Sequence, residues 1–454
     1  MGNTNTKPFG VKDKIGYMCG DIANDFTFIF ASSYVMVFYT KVMGVSAGMV
    51  GTMFLLARCL DAFTDIGMGR IVDNSKPTKN GRIRPWILRM CAFVALASFM
   101  MYQSFLVDAP YAAKVAYMFI TYILWGSIFY TSVNIPYGSM ASVISSEPKD
   151  RSSLSVFRSL GGTLAGILIG MLAPMVVYYT DEAGNKVVSA SKISMIAGIF
   201  SVLAVICYLL CYTLTTERVA YVPKPDVQKK TFGQTVSALF SSRSLMGLIL
   251  SAVLLLLASL MSQGINQYLF ADYFKNTAAL SVYSLLMLPC VLVLSAVSTK
   301  LAVKYGKKEC SLIGMFISAG LYFIIGVLHV KNVWLFVGLA FLAMIGMYFF
   351  QMQCWALVTD VIDDMEVKNH TRDDGTVYGM YSFARKIGQA IAGGLSGWAL
   401  GWIGYDELAT SQTQEVANGI YNLSTFFPAM RTIRAGTPTA VAFSGTSPST
   451  TGEP

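Results

Sequence analysis

Charge is what this chain has least of. Only 13% of its 454 residues are charged, against about 25% in an ordinary soluble domain, while 54% are hydrophobic and the mean hydropathy is +0.55. That balance excludes a water-soluble globular protein. Histidine is nearly missing: His329 and His370 are the only two, which argues against a His-based metal centre or a Ser-His hydrolase. The eight cysteines (Cys19, Cys59, Cys91, Cys207, Cys211, Cys290, Cys310 and Cys354) lie in or beside apolar segments with no C-x-x-C pair. They read as small buried hydrophobes. MGNTNTKPFG has no apolar stretch behind its lysine, so no cleavable signal peptide is expected.

Long apolar runs are what the chain does have. About 20 such residues cross the hydrocarbon core of a bilayer. Uncharged stretches of that order run over 90–107, 115–146, 159–180, 193–216, 244–271, 276–299, 310–328, 332–359 and 387–405, and two more around 17–41 and 47–72 carry inward charges. This predicts eleven membrane helices. A twelfth candidate starts at Val416, but its apolar part stops at Met430, about five residues short, and RTIRAGTPTAVAFSGTSPSTTGEP follows. Two arginines and three prolines suit lipid poorly. The expectation is a truncated or altered twelfth helix, with 431–454 a polar, non-membrane tail.

Basic residues set the expected orientation. With a cytoplasmic N-terminus, the alternating inner segments hold 21 Lys and Arg and the outer loops six. By the positive-inside rule this places the N-terminus in the cytoplasm of a plasma membrane, in a bacterial cell the inner one. Topology and anionic lipid then account for the net charge of +9 without a nucleic-acid partner. The basic segment TTERVAYVPKPDVQKKTFGQ divides the chain. It predicts an N-terminal bundle over 1–215, a cytoplasmic loop over 216–243 and a C-terminal bundle over 244–430. Two such repeats flank a midplane cavity in many transporters.

The charges inside the apolar runs are the informative ones. Arg58, Asp61 and Asp65 fall on one helix face at offsets of three and seven, with the two carboxylates at i,i+4. Each such residue costs roughly 2.5–3.5 kcal/mol at a bilayer centre, so these side chains turn inward and tend to mark ion or substrate pathways. Span one adds Asp21, Asn24 and Asp25. Span four aligns Ser127, Thr131, Asn134 and Gly138, span five begins with Arg158, and span eleven aligns Ser382, Lys386, Gln389 and Gly393. Structural ion pairing is the plain alternative for any one of them, but together they indicate a common polar cavity. Gly162, Gly166 and Gly170, and Gly393 with Gly397, read as close helix-packing positions.

The stretches KIGYMCGDIANDF, GTMFLLARCLDAFTDIGMGRIVD, NGRIRPW, TYILWG with VNIPYGSM, and WALVTDVIDDMEV followed by TRDDGTVYGMYSFARKIGQAIAGG resemble the glycoside–pentoside–hexuronide:cation symporters, the family of the melibiose permease. The motifs are closest to those of the glucuronide carriers. The resemblance implies an all-α integral membrane protein of the major facilitator type, with two six-helix halves, that moves a small sugar or glycoside with Na+ or H+ by alternating access. It implies that Asp61 and Asp65 hold the cation with help from Thr64 and Thr131. On the same basis Asp25, Asn24, Asn134, Arg158, Lys386 and Trp355 belong to the sugar site. Arg58, Asp360, Asp363 and Glu366 become gating or ion-pair residues.

Three departures bear on the substrate. The melibiose permease has Lys, Asp and Trp where this chain has Asn24, Asn134 and Gly138. A less acidic pocket that keeps Arg158 and Lys386 suits an anionic sugar such as a glucuronide better than a galactoside. Neither a cofactor nor an enzymatic activity is expected, and the expected state is a monomer in lipid. A drug or small-solute:proton antiporter, which would use similar carboxylates, and an inactive remnant with an altered C-terminus are the other readings.

Overall fold

The computed structural model describes residues 8–219 apart from 77 and 79, together with 243–369 and 374–442. It is helical except for one short hairpin. In chain order the elements are α1 (Val11–Lys41), α2 (Ala47–Asn74), α3 (Arg84–Met100), α4 (Tyr111–Ile123), a π-helical turn (Leu124–Tyr130), α5 (Thr131–Ile144) and α6 (Pro148–Val177). The hairpin strands β1 (Tyr178–Thr180) and β2 (Lys186–Val188) and then α7 (Ala190–Leu214) follow. Beyond the central segment come α8 (Arg243–Tyr268), a second π turn (Leu269–Tyr273), α9 (Thr277–Leu285), α10 (Met287–Tyr305), α11 (Lys307–Leu328), α12 (Val333–Asn369), α13 (Asp374–Trp402) and α14 (Gln414–Ala442).

The eleven expected spans map wholly or in part onto these helices. Among the described residues, eight helices are long and apolar enough to cross a membrane. Elsewhere the expectation needs adjusting. The helix of the third span has 17 residues and stops at Met100, and the run over 276–299 is split between α9 and α10. The last residues of the fifth span form β1 rather than helix. The twelfth candidate forms α14, which stays helical to Ala442 but is not among the helices long and apolar enough to cross a membrane. Its first half is anchored, because the Tyr421 hydroxyl donates to the Ile325 carbonyl at 2.8 Å and accepts from the Val330 amide at 2.9 Å.

The exposed faces identify the solvent. On α6, Leu160, Leu164, Leu168 and Leu172 are all exposed at intervals of four, an apolar stripe along one helix face that water would not tolerate at this length. Such a stripe belongs against lipid tails.

The chain packs as two compact units that do not follow the two halves read from the central basic segment. The first comprises Met1–Pro225, Phe270–Leu285 and Gly393–Val416, and the second Asp226–Leu269, Leu286–Ala392 and Ala417–Pro454. Within the first unit, the start of α3 is held by Glu217, whose carboxylate accepts from the amides of Arg82, Ile83 and Arg84 at 2.8, 2.9 and 2.7 Å. These are the orphan donors of a helix N-terminus, met here by a side chain 133 or more residues away in sequence. Gly81 makes this approach possible: its φ is +105°, and a Cβ there would fall 2.4 Å from the Glu217 carboxyl carbon. Arg218 grips both oxygens of Asp13 at 2.9 Å and ties the same segment to the start of α1.

Candidate functional site

One polar cluster of the first unit lies along a stripe of α1. Asp21, Asp25 and Phe28 succeed one another at intervals of four and three, so they share a face. Arg158 of α6 donates Nε–H to Asp21 Oδ1 at 3.0 Å, and its guanidinium lies 5.2 Å from the centre of the Tyr137 ring. Gly162, one turn further along α6, is the reason the carboxylates fit. A Cβ there would fall 2.6 Å from Asp25 Oδ2 and 3.1 Å from Asp21 Oδ2. This glycine makes room for carboxylates, a role beyond the helix packing expected of it. At the other end of the stripe, the Arg58 guanidinium sits 5.1 Å from the centre of the Phe28 ring.

Beside it, α2 and the α4–α5 segment form a ladder. The Ser127 hydroxyl donates to Asp61 Oδ1 at 2.5 Å and the Thr131 hydroxyl to Asp65 Oδ1 at 3.0 Å. Both pairs are 66 residues apart in sequence, so two i,i+4 pairs are in register on helices running the same way. Arg58 Nη1 donates to the remaining Asp61 oxygen at 3.0 Å. Both Ser127 and Thr131 lie at the π-helical turn, which adds a residue to the helical ring and re-aims the side chains that follow. Pro136, which removes one backbone donor, sits just beyond it. Thr131 has one hydroxyl proton and two acceptors in reach, Asp65 Oδ1 and the Gly126 carbonyl at 3.2 Å. It can release the carboxylate without leaving its own proton unpaired.

The arrangement therefore brings together Arg58, Asp61, Asp65 and Thr131, and separately Asp25 and Arg158. Two neighbours were not picked out as site residues: Asp21 is the carboxylate that pairs with Arg158, and Ser127 is the hydroxyl on Asp61. The i,i+4 spacing of Asp21 with Asp25, and of Ser127 with Thr131, was the signal that could have found them. Thr64 turns its hydroxyl to the Asp61 backbone carbonyl at 3.2 Å. Asn24 faces away from the stripe. It is 2% exposed, and its Oδ1 accepts from the Tyr208 hydroxyl of α7 at 2.8 Å. Asn134 is half-buried on α5. The side chains of Trp355, Asp360, Asp363, Glu366 and Lys386 lie outside the described residues.

Four carboxyls and two guanidiniums inside membrane helices make a site with more acid than base, suited to attracting a cation, with hydroxyls to complete its oxygen shell. Comparison with known proteins decides the family. The family model described as MFS/sugar transport protein matches residues 16–441. The chain belongs to that family. It is a multi-pass membrane transporter and not an enzyme. The chain is 31% identical to the uncharacterized symporter YjmB of Bacillus subtilis (strain 168), over 93% of this chain and 90% of that protein. It is 30% identical to the glucuronide carrier protein homolog of Escherichia coli (strain K12), over 89% and 86%. Among solved structures, a bacterial homolog of the human lysosomal transporter Spinster, in an inward-facing and unoccupied conformation, superposes with a TM-score of 0.67 at 12% identity. That match covers 96% of this chain and 98% of the other, and it supports the major facilitator type of fold.

Proposed function

We propose that this sugar transporter is a symporter that couples entry of a glycoside, in particular an anionic one such as a glucuronide, to a monovalent cation. The observation that carries the reading is the ladder of Ser127 on Asp61 and Thr131 on Asp65, with Arg58 on the second oxygen of Asp61. Two carboxylates one helical turn apart repel when both are ionised. Arg58 relieves that repulsion on one side, and a Na+ ion or proton at Asp61/Asp65 relieves it on the other. The sugar would bind along the Asp21/Asp25/Arg158 stripe, where a carboxylate can hydrogen-bond ring hydroxyls. Asn24, turned towards α7, supports the packing of α1 rather than the sugar. Because Arg58, the partner of Asp61, also lies over Phe28 on the stripe of α1, cation and sugar would each favour the other's binding, and by linkage the effect is reciprocal. The loaded carrier then alternates between its two faces.

The similarity to a glucuronide carrier homolog supports the anionic class, as does the retention of Arg158. The test is uptake into membrane vesicles of a glucuronide and of a neutral glycoside, with and without an imposed Na+ or H+ gradient. Accumulation that requires one of the two gradients is the expected result. Equal, gradient-independent equilibration of both sugars would reject symport, and failure to move either would reject the sugar assignment.

A further inference from the structure

The ladder of Asp61 and Asp65 has two sides, α2 and the α4–α5 segment, and each side sends one group to the same aromatic ring. From α2, the Arg58 guanidinium lies 5.1 Å from the centre of Phe28, within cation–π range. From the π turn, Tyr130 stacks on Phe28 with ring centres 5.7 Å apart and planes at 22°, the spacing of an ordinary aromatic pair. Both groups are next to the ladder's own bonds. Arg58 donates to Asp61 at 3.0 Å, and Tyr130 directly precedes Thr131, whose hydroxyl donates to Asp65 at 3.0 Å. Phe28 itself belongs to α1, three residues from Asp25 on the same face. Behind Tyr130 stands Trp125, with ring centres 5.5 Å apart. Trp125 is 1% exposed, and its indole N–H finds no acceptor among the described residues. A buried donor left unpaired is costly, and this one belongs to a π turn, an irregularity frequent at functional sites. A second arrangement of the turn would relieve it, which makes the turn an element that two sites can bias.

We propose that Phe28 is the positioning residue that carries cation occupancy from the ladder to the sugar site. In the ladder as it stands, the hydroxyls of Ser127 and Thr131 donate to the carboxylates. A Na+ ion between them takes lone pairs from the same hydroxyls, which must then turn their protons away. A proton instead removes one carboxylate charge, and with it part of the attraction on Arg58. Either way the hold on Arg58 and the set of the π turn change together, and Phe28 touches both. Asp25 and Phe28 are i,i+3 neighbours, so the position of the ring sets the space open to a sugar beside Asp25. Phe28 acts here through Arg58 and Tyr130, with no contact to the sugar required of it. The assignment rests on the symport reading above and names the residue through which its two ligands help each other.

The experiment titrates 4-nitrophenyl glucuronide into the detergent-purified protein by calorimetry, with and without Na+ and at two pH values. It records the factor by which the cation raises sugar affinity, which in the wild type should lie in the range of roughly 5–150 usual for coupled sites. Phe28→Leu keeps an apolar side chain but removes the ring, and should lower that factor by about two- to fivefold, the worth of a cation–π contact. Phe28→Tyr keeps the ring and should keep the factor. Tyr130→Leu removes the other contact and should lower it too, so it decides the question should Phe28→Leu fail to fold. Titrating the cation with sugar absent and present should give the same reduction, because linkage is reciprocal. A factor unchanged in Phe28→Leu, or lowered just as much in Phe28→Tyr, would overturn the proposal while leaving symport standing. A wild-type factor of one would overturn the symport reading itself, and the relay with it.

Discussion

Lys41, the last residue of α1, places its Nζ 2.5 Å from Asp272 Oδ1, and the Tyr405 hydroxyl donates to the other oxygen of the same carboxylate at 3.2 Å. The two charged side chains are only 12% and 6% exposed. One polar knot thus joins the ends of three separate chain segments within the first unit. Nearby, Glu407 accepts from the Ala47 amide at 2.6 Å and Trp398 donates to Thr52 at 3.2 Å.

Breaking this pair from one side leaves a buried charge uncompensated, at about 3–5 kcal/mol. Lys41→Met or Asp272→Leu alone should therefore lower the melting temperature of the purified protein clearly. The double substitution should recover most of the loss, because two apolar side chains of similar volume replace the pair. A double variant as unstable as the worse single one would show that the pair is not a unit.

Asp61→Asn and Asp65→Asn each remove a carboxylate from the ladder. Both should abolish accumulation against a gradient while sugar exchange at equilibrium persists, since exchange moves no net cation. Ser127→Ala should be milder, weakening the apparent cation affinity by roughly tenfold, the worth of one hydrogen bond to a charged group. Vesicle uptake with and without a cation gradient separates the three, and wild-type accumulation in either Asn variant would reject the cation site.

Arg58 is the internal counter-charge of Asp61. Without it, the acidic cluster has only an added cation to relieve its repulsion, so Arg58→Gln should be less stable than wild type in cation-poor buffer. The coupling cation should then raise its melting temperature by more than it raises that of the wild type. Equal cation-dependent shifts in the two proteins would show that Arg58 and the cation do not share Asp61.

Two glycines should part company when changed to alanine. The new methyl of Gly162→Ala meets only the ends of Asp25 and Asp21, which can swing aside. Stability should barely change while the half-saturating sugar concentration rises. In Gly397→Ala the methyl would fall 2.3 Å from the Ala47 carbonyl oxygen and 2.7 Å from Gly51 Cα, both backbone atoms. Here the melting temperature should drop. Matching effects on stability would refute the distinction.

An anionic sugar carried with one monovalent cation moves no net charge, whereas a neutral sugar moves one, worth about 2.3 kcal/mol per 100 mV. A potassium diffusion potential imposed with valinomycin should therefore speed uptake of the neutral glycoside and leave glucuronide uptake unchanged. Acceleration of both would indicate more than one cation per anionic sugar.

Much of this polar cluster was legible because its spacing is local. The spacing of Arg58, Asp61 and Asp65 within two helical turns fixes a shared face, and apolar runs of bilayer length fix the helices around them. What escaped was pairing across distance. Nothing near Asp21 in the chain marks it, rather than Asp25, as the partner of Arg158, 137 residues away. Neither does anything near Arg82 announce Glu217 as the cap of α3. Asn24 shows the limit of helical-wheel reading: it lies next to Asp25 in sequence, yet 100° of rotation is enough to bury it against Tyr208. Hydropathy reports affinity for lipid and not helicity, and a helix anchored at Tyr421 can continue past the end of its apolar stretch.

The knot at Lys41 also sets a timetable. Its partner Asp272 lies 231 residues later in the chain, and at about 5–20 residues per second a ribosome needs roughly 10 to 50 s to reach it. For that interval the end of α1 carries an ammonium whose buried resting place does not yet exist, and residues 393–416 are further away still. The first six spans can thread into the bilayer on their own, but they cannot finish folding until most of the second half has been made. A quality-control protease that samples nascent membrane proteins would meet this transporter first as an unlatched half, so its yield in the cell should depend on translation speed between α7 and α9.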